Sequence, residues 1–246
     1  MNFRAQLRQP KALIGTILSL AAAEMAEIAA GAGFDWLFLD MEHSTLDIPT
    51  IQILLQAAGE TPCIVRIPAH DAVWIKKALD AGAAGLIIPQ VNTPAQAAWA
   101  VSQAKYPPQG VRSVGLARCH RYGPGFDEYV QTANEQIAVI IQAEHIEAVQ
   151  NIEAILAVPG IDGIFIGPFD LSASMGKAGQ IDDPEVQAAI ATVKAACDAH
   201  QMPTSIFCPS LAAAQKALAA GYTFPAVGID VRLISALYAE IIASLR

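Results

Sequence analysis

Charged side chains are scarce in this chain of 246 residues: they make up 15% of it, against 54% hydrophobic residues. A composition so poor in charge excludes a disordered or solvating chain and leaves ample apolar surface for a large core. Basic clusters are also missing. Fifteen Lys and Arg are scattered among 23 Asp and Glu, for a net charge of -8, which argues against nucleic acid or an anionic lipid surface as partner. Cys63, Cys119, Cys197 and Cys208 stand far apart with no CxxC pair, so neither a disulfide framework nor a thiolate zinc site is indicated. Buried free thiols are expected, and Cys208, which follows an apolar run, is placed to line a pocket. No apolar run reaches membrane-spanning length, and the polar segment from Met1 to Lys11 has no secretory apolar region. The expectation is a soluble, cytoplasmic protein. Gly-x-Gly-x-x-Gly and the Walker lysine are absent, so nothing supports nucleotide binding.

What is present is an alternation. Apolar runs at 12–17, 36–42, 63–67, 85–91, 137–144, 161–167, 203–208 and 224–230 are separated by amphipathic stretches rich in Ala and Leu. Helices are expected at 21–30, 51–58, 72–79, 94–105, 146–158, 184–200 and 211–220, with 231–245 closing the chain. Gly31, Gly59, Gly82 and Gly221 fall where helices end, and Thr93-Pro94 and Asp183-Pro184 where they begin. Parallel strands joined by crossover helices produce this pattern, and eight such units fill residues 1–246 with one α/β domain, a (β/α)8 or TIM barrel. A doubly wound sheet of eight strands is the structural alternative. The longest irregular stretch, 106–126, carries Arg112, Arg118, His120 and Arg121 and reads equally as a solvated loop, a lid or a subunit contact.

In such a barrel the chemistry sits where the strands end and the βα loops converge. The second run ends in Asp40-Met41-Glu42-His43, the third carries Arg66, and the fourth ends in Gln90. The fifth ends in Gln142-Ala143-Glu144, and the sixth enters Gly167-Pro168-Phe169-Asp170. Glu144 and Asp170 follow neighbouring strands. As a pair of hard oxygen ligands they suit Mg or Mn and leave room for water and substrate; taken singly, each reads as readily as a helix cap. Arg66, always charged inside an apolar strand, needs an anion: either a structural bridge to Glu42 or a fork on an enolate or carboxylate oxygen. His43, beside acids that include Asp40, is placed to act as a general base, or is a hydrogen-bonded bystander. No lysine falls at a strand end, which disfavours an imine mechanism, Lys177 being the one exception to watch.

These residues resemble the HpcH/HpaI aldolase family, metal-dependent aldolases of 4-hydroxy-2-oxo acids and 2-keto-3-deoxy sugar acids. The likeness runs from about Ile14 to Asp230. It is carried by Gly31-Ala32-Gly33-Phe34-Asp35-Trp36, Asp40-Met41-Glu42-His43, Val65-Arg66, Leu79-Asp80-Ala81-Gly82-Ala83, Tyr106-Pro107-Pro108, Gln142-Ala143-Glu144 and Gly163 through Ser172. The resemblance implies reversible cleavage to pyruvate and an aldehyde through a pyruvate enolate, with a divalent ion (Mg or Mn, with Co or Zn admissible) and no nucleotide cofactor. It implies His43 as base, Arg66 on the enolate oxygen, Gln142 on substrate, and Glu144 with Asp170 on the metal. Gly167 and Phe169 would line the substrate site, Phe169 through its backbone where alanine or serine is common.

Asp80 matches the family's acid that raises the histidine's basicity, although the helix at 72–79 puts it near the opposite rim. Either that boundary is misplaced or Asp80 serves a neighbouring subunit. The family is usually hexameric, with exchanged C-terminal helices, and the apolar last helix would suit that or would close its own barrel. Thr16-Ile17 stands where a tryptophan is usual, which leaves the acceptor aldehyde open. Two rival functions remain: a related lyase acting on an acyl-CoA thioester or oxaloacetate, and a catalytically silent barrel.

Overall fold

The computed structural model describes all residues, Met1–Arg246. Eight parallel strands close into one barrel in sequence order, so the doubly wound alternative is excluded. The strands are β1 (Gly15–Leu18), β2 (Trp36–Asp40), β3 (Cys63–Arg66), β4 (Gly85–Ile88), β5 (Ala138–Ala143), β6 (Gly163–Ile166), β7 (Thr204–Cys208) and β8 (Ala226–Ile229). Seven of the eight expected runs contain their strand whole, and β1 extends one residue past the run at 12–17. The ladder stops earlier than the apolar runs at β2, β4, β5 and β6, so Glu42, Gln90, Glu144 and Asp170 lie beyond the strand ends, at the mouth.

The helices are α1 (Phe3–Gln6), α2 (Ala23–Gly31), α3 (Ile48–Ala57), α4 (Ala72–Asp80), α5 (Pro94–Ala104), α6 (Phe126–Gln136), α7 (Ile146–Gln150), α8 (Ile152–Leu156), α9 (Pro168–Ser174), α10 (Pro184–Ala199), α11 (Leu211–Ala219) and α12 (Asp230–Leu245). Thr93 begins α5 with a full capping box to Gln96, and Asp183 caps α10 at Glu185 N–H. α3 starts earlier than expected because Asp47 caps Thr50 N–H and Pro49 stands in the first turn. The expected helix at 146–158 breaks in two at Asn151, whose side-chain amide donates to the Asn92 carbonyl at 2.9 Å. No helix is long and apolar enough to cross a membrane.

Alternation along each strand divides the core. Outward side chains such as Leu37, Leu39 and Val65 pack beneath the helices; inward ones such as Ile17, Trp36, Phe38, Ile64, Ile140 and Phe165 fill the barrel. The N-terminal segment, polar in composition, nevertheless supplies Phe3 and Leu7 to that interior. Phe3 closes the lower end against Trp36 and Phe224, with ring centroids 5.8 and 6.5 Å apart. Trp36 stacks on Phe38 at 6.2 Å, and Phe38 meets Phe165 edge-on at 5.3 Å. The barrel is therefore plugged by aromatics up to the level of the strand ends.

The loop 106–126 lies at the lower rim. Arg118 donates to the Ala81 carbonyl at 2.9 Å, and buried Arg112 reaches Asp80 at 2.7 Å while stacking 4.6 Å from the Tyr106 ring. That position removes the lid reading. The last helix does not close its own barrel: of α12 only Asp230 is buried, and Leu233, Leu237, Ile241 and Ile242 are all exposed.

A methyl group at Gly15 would fall inside the indole of Trp36. Gly15→Ala should therefore destabilise the fold by about 1–3 kcal/mol through overpacking, and adding Trp36→Phe should recover part of the loss. Urea unfolding of the single and double variants measures both; a neutral Gly15→Ala would contradict the packing described.

Candidate functional site

The mouth of the barrel is organised by a register. Asp40 and Arg66 are Cα partners at the ends of β2 and β3, both inward, so carboxylate and guanidinium meet without either chain bending. Arg66 Nε and Nη2 donate to Asp40 Oδ1 and Oδ2 at 2.9 and 2.7 Å. Its Nη1 lies 3.2 Å from Glu42 Oε2 and donates to Gln142 Oε1 at 3.5 Å. The guanidinium carbon sits 5.1 Å from the Phe38 centroid, on top of the aromatic plug. Burial opposes the charge, but the bonds and charge of Asp40, with those of Glu42 and Glu144, hold the Arg66 pKa above its ordinary value. The expected bridge to Glu42 is present by proximity, and Asp40, which the sequence did not single out as a partner, holds Arg66 more strongly.

Asp40 does more than hold Arg66. Its Oδ1 also accepts the backbone N–H of Glu42 and of His43, and Ser44 Oγ donates to its carbonyl. This corrects the expectation of Asp40 as imidazole partner, since its carboxylate is occupied by Arg66 and by backbone. The His43 ring is more than half exposed at the rim and faces Glu42 Oε2 at 3.7 Å and Asp170 Oδ2 at 4.0 Å.

Glu144 is buried among donors. Gln142 Nε2 donates to its Oε2, and the Gln90 backbone N–H donates to Oε1 at 2.7 Å. Gln90 holds φ at 53°, a conformation that aims its N–H across the mouth. Opposite stands Gly167, where a Cβ would lie 3.0 Å from Glu144 Cβ and 3.2 Å from its Oε2. The glycine thus gives the carboxylate its room. Burial pushes Glu144 up to about 7; the bonds from Gln142 and Gln90 resist this, and the charges of Glu42 and Asp170 add to it. Glu42 is also pushed up to about 7, by burial first, against the pull of Arg66 and with Asp40 and Asp170 adding to the rise. Its Oε2 is buried with no hydrogen-bond donor.

More acid than base converges here, through hard oxygen donors, and one buried oxygen lacks a donor. These residues fit a divalent cation. No three His, Cys, Asp or Glu side chains converge tightly enough to enclose one by themselves.

Of the expected residues, His43, Arg66, Gln142, Gly167, Phe169 and Asp170 line one cavity of about 240 Å³, and Glu144 abuts it at Gly167. Asp80 does not join them. It ends α4, as expected, at the opposite rim and is bound to Arg112. A larger groove of about 670 Å³ between α10 and α11 includes Cys208 but gathers no comparable acid set. Burial raises the thiols of Cys63 to about 12 and of Cys197 and Cys208 to about 11, so none is a nucleophile at neutral pH.

No lysine lines the 240 Å³ cavity. Lys177 pairs with Asp183 and Glu185 at 2.7 and 2.9 Å. Buried Lys105, depressed to about 8 chiefly by desolvation, donates to the Asn134 and Ile137 carbonyls at the lower rim. Gln90, expected at the mouth, contributes through its backbone, and one contributor was not expected from the sequence: Arg232, which lines the cavity from the first turn of α12.

The raised carboxylates have a measurable sign. A folded-state pKa above the unfolded value means that the native state binds extra protons between about 4.5 and 7, so metal-free protein gains stability as pH falls through that window. In EDTA, Tm should be higher at pH 6 than at pH 8, and Glu144→Gln should remove much of the difference. A pH-independent Tm would contradict the electrostatics of the mouth.

Comparison with known proteins agrees with this geometry. Residues 13–236 match the model of the HpcH/HpaI aldolase/citrate lyase family. The chain is 42% identical to a 4-hydroxy-2-oxovalerate aldolase of Rhodococcus jostii, over 95% of this chain and 92% of that protein. It is 43% identical to a 4-hydroxy-2-oxo-heptane-1,7-dioate aldolase of Salmonella typhimurium, over 95% and 90%. Among solved structures, an HpcH/HpaI aldolase/citrate lyase family protein from Burkholderia cenocepacia superposes with a TM-score of 0.95 at 38% identity, covering 99% of this chain and 98% of the other. With the barrel, the Asp40–Arg66 register and the Glu144–Asp170 mouth in place, the chain belongs to the HpcH/HpaI aldolase/citrate lyase family.

Proposed function

We propose that the protein is a divalent-metal-dependent aldolase that reversibly cleaves a 4-hydroxy-2-oxo acid, or a 2-keto-3-deoxy sugar acid, to pyruvate and an aldehyde. The observation that carries this reading is the convergence, in one cavity, of a preset guanidinium, an exposed imidazole and an adjoining pair of carboxylates. Relatives at similar identity are named for 4-hydroxy-2-oxovalerate and for 4-hydroxy-2-oxo-heptane-1,7-dioate, which agree in the reacting 4-hydroxy-2-oxo unit and differ beyond it.

Glu144 and Asp170 would hold the cation, Mg or Mn by the hardness of the donors. When bound, it supplies a Lewis acid that polarises the keto group and acidifies the neighbouring carbon. Arg66 donates to the oxygen that turns negative when the bond between C3 and C4 breaks; because Asp40 has already fixed the guanidinium, little reorganisation is needed at that moment. Gln142, spanning Arg66 and Glu144, orients the 2-oxo acid, and the turn at Gly167 and Phe169 lets substrate approach the backbone. His43 takes the 4-hydroxyl proton during cleavage and returns it during addition.

Asp80 cannot assist the imidazole of its own chain from the opposite rim, so we assign it to His43 of a neighbouring copy. The exposed apolar face of α12 supports a homo-oligomer, a hexamer in keeping with the family resemblance. The unpaired cysteines suit a cytoplasmic enzyme.

Pyruvate release from 4-hydroxy-2-oxo acids of graded length should vanish in excess EDTA and return with Mg or Mn. Full activity in chelator together with a borohydride-trapped lysine adduct would refute the metal reading. Glu144→Ala should lose metal stoichiometry by calorimetry while keeping its circular dichroism; unchanged stoichiometry would remove Glu144 from the role given to it.

A further inference from the structure

Resting on that function, we infer that Arg232 selects the acceptor by charge: the aldehyde carries an anionic group at the end remote from its carbonyl. The cavity has two unlike walls. Asp40, Arg66, Gln142 and Asp170 form the reacting side, whereas Ile17, Phe207 and Ile229 form an apolar side with Arg232 beside it. Two arginines line the same space and are in opposite states. Arg66 is anchored by two hydrogen bonds to Asp40, with Gln142 and Glu42 beside its Nη1. Arg232 is exposed and has no carboxylate within ion-pair distance.

An uncommitted guanidinium at the edge of the cavity is free to turn its planar fork to an anion bound there. The turn that carries it is fixed. Buried Asp230, at the first position of α12, accepts Ser19 N–H and Leu20 N–H at 2.9 Å each and Ser19 Oγ–H at 2.6 Å, which ties the first turn of the helix to the end of β1. Arg232 follows two residues later.

The ligand chemistry follows from this division. The 2-oxo acid end of the substrate belongs with the fixed polar side. The aldehyde-derived end must then run along Ile17, Phe207 and Ile229, which fit a short aliphatic spacer, before meeting a cation. At about 240 Å³ the cavity is smaller than the roughly 300–1,000 Å³ of drug-sized sites, so that spacer is short. A carboxylate and a phosphate both match a guanidinium fork, and the assay separates them.

The test compares addition of pyruvate, with Mn present, to three aldehydes of similar length: one ending in a carboxylate, one in a phosphate and one neutral. The wild-type protein should favour one anionic acceptor over the neutral one by roughly tenfold or more in kcat/KM, as one charge-assisted contact can supply, with the preference falling as KCl is raised. Arg232→Gln should collapse that ratio to within about threefold of unity, mainly through KM, and Arg232→Lys should keep part of it. Equal loss on all three aldehydes, or no anionic preference in the wild-type protein, overturns the inference. Exchange of the pyruvate methyl protons in D2O by the wild-type protein, without aldehyde, separates the two levels. Exchange without charge preference sinks only the role of Arg232; absence of exchange sinks the pyruvate reading and this inference with it.

Discussion

The buried pair between Asp40 and Arg66 is the constraint on which the mouth of this barrel depends. An isolated charge at the end of an apolar strand is strongly disfavoured, and breaking such a pair typically costs about 3–5 kcal/mol because the survivor stays buried. The closed ladder places the two residues opposite each other, and two parallel hydrogen bonds fix the guanidinium plane. The same carboxylate accepts the backbone of Glu42 and His43. One side chain thereby sets the direction of a cation, an acid and an imidazole, and the aromatic column from Phe3 to Phe38 supplies the floor beneath them.

Around that fixed point the site is deliberately short of positive charge. Burial raises the proton affinity of Glu42 and Glu144, and the neighbouring negative charges, that of Asp170 included, add to it. Gln142 and the Gln90 backbone answer only part of it. A mouth that buries Glu42 and Glu144 solvates their charges poorly, and a divalent ion would relieve their repulsion more completely than protons taken up one at a time. Buried carboxylates at the mouth cost stability when ionised, while the packed interior below keeps the fold intact.

The barrel was legible because its signal is periodic and repeated. Eight apolar runs, each followed by an amphipathic stretch, admit few topologies once the parallel crossover is fixed, and the polar residues at their ends mark one mouth. What escaped notice was set by tertiary contact. Phe3 and Leu7 lie in a segment that is polar on average, and only the open lower end of the barrel gives them a place to bury. Asn151 interrupts a helix for the sake of one bond to the Asn92 carbonyl, which no local pattern announces. Asp80 shows the opposite case. Its position at a helix end was readable, and the structure confirms that boundary while giving it Arg112, not His43, as partner within the chain. Arg232 follows the eighth strand by three residues. Applying the strand-end rule to the last run as strictly as to the second and fifth would have found it.

The two arginines of the mouth differ in how firmly the fold holds them. Arg66 lies within a strand, its geometry dictated by register, and altering it disturbs Asp40, Glu42 and Gln142 together. Arg232 lies beyond a strand, on a turn tied down by Asp230, and no carboxylate of the chain depends on it. The apolar wall has the same character. Ile17, where the family resemblance leads one to expect a tryptophan, leaves width beside β1, while Phe169 and Phe207, with ring centroids 6.0 Å apart, occupy the β6–β7 side. Bulk can therefore move around the rim without touching the acid set, because side chains beyond the strand ends are not locked to one another by the ladder. Substrate range can drift in such an architecture while the bond-breaking groups stay where the register holds them.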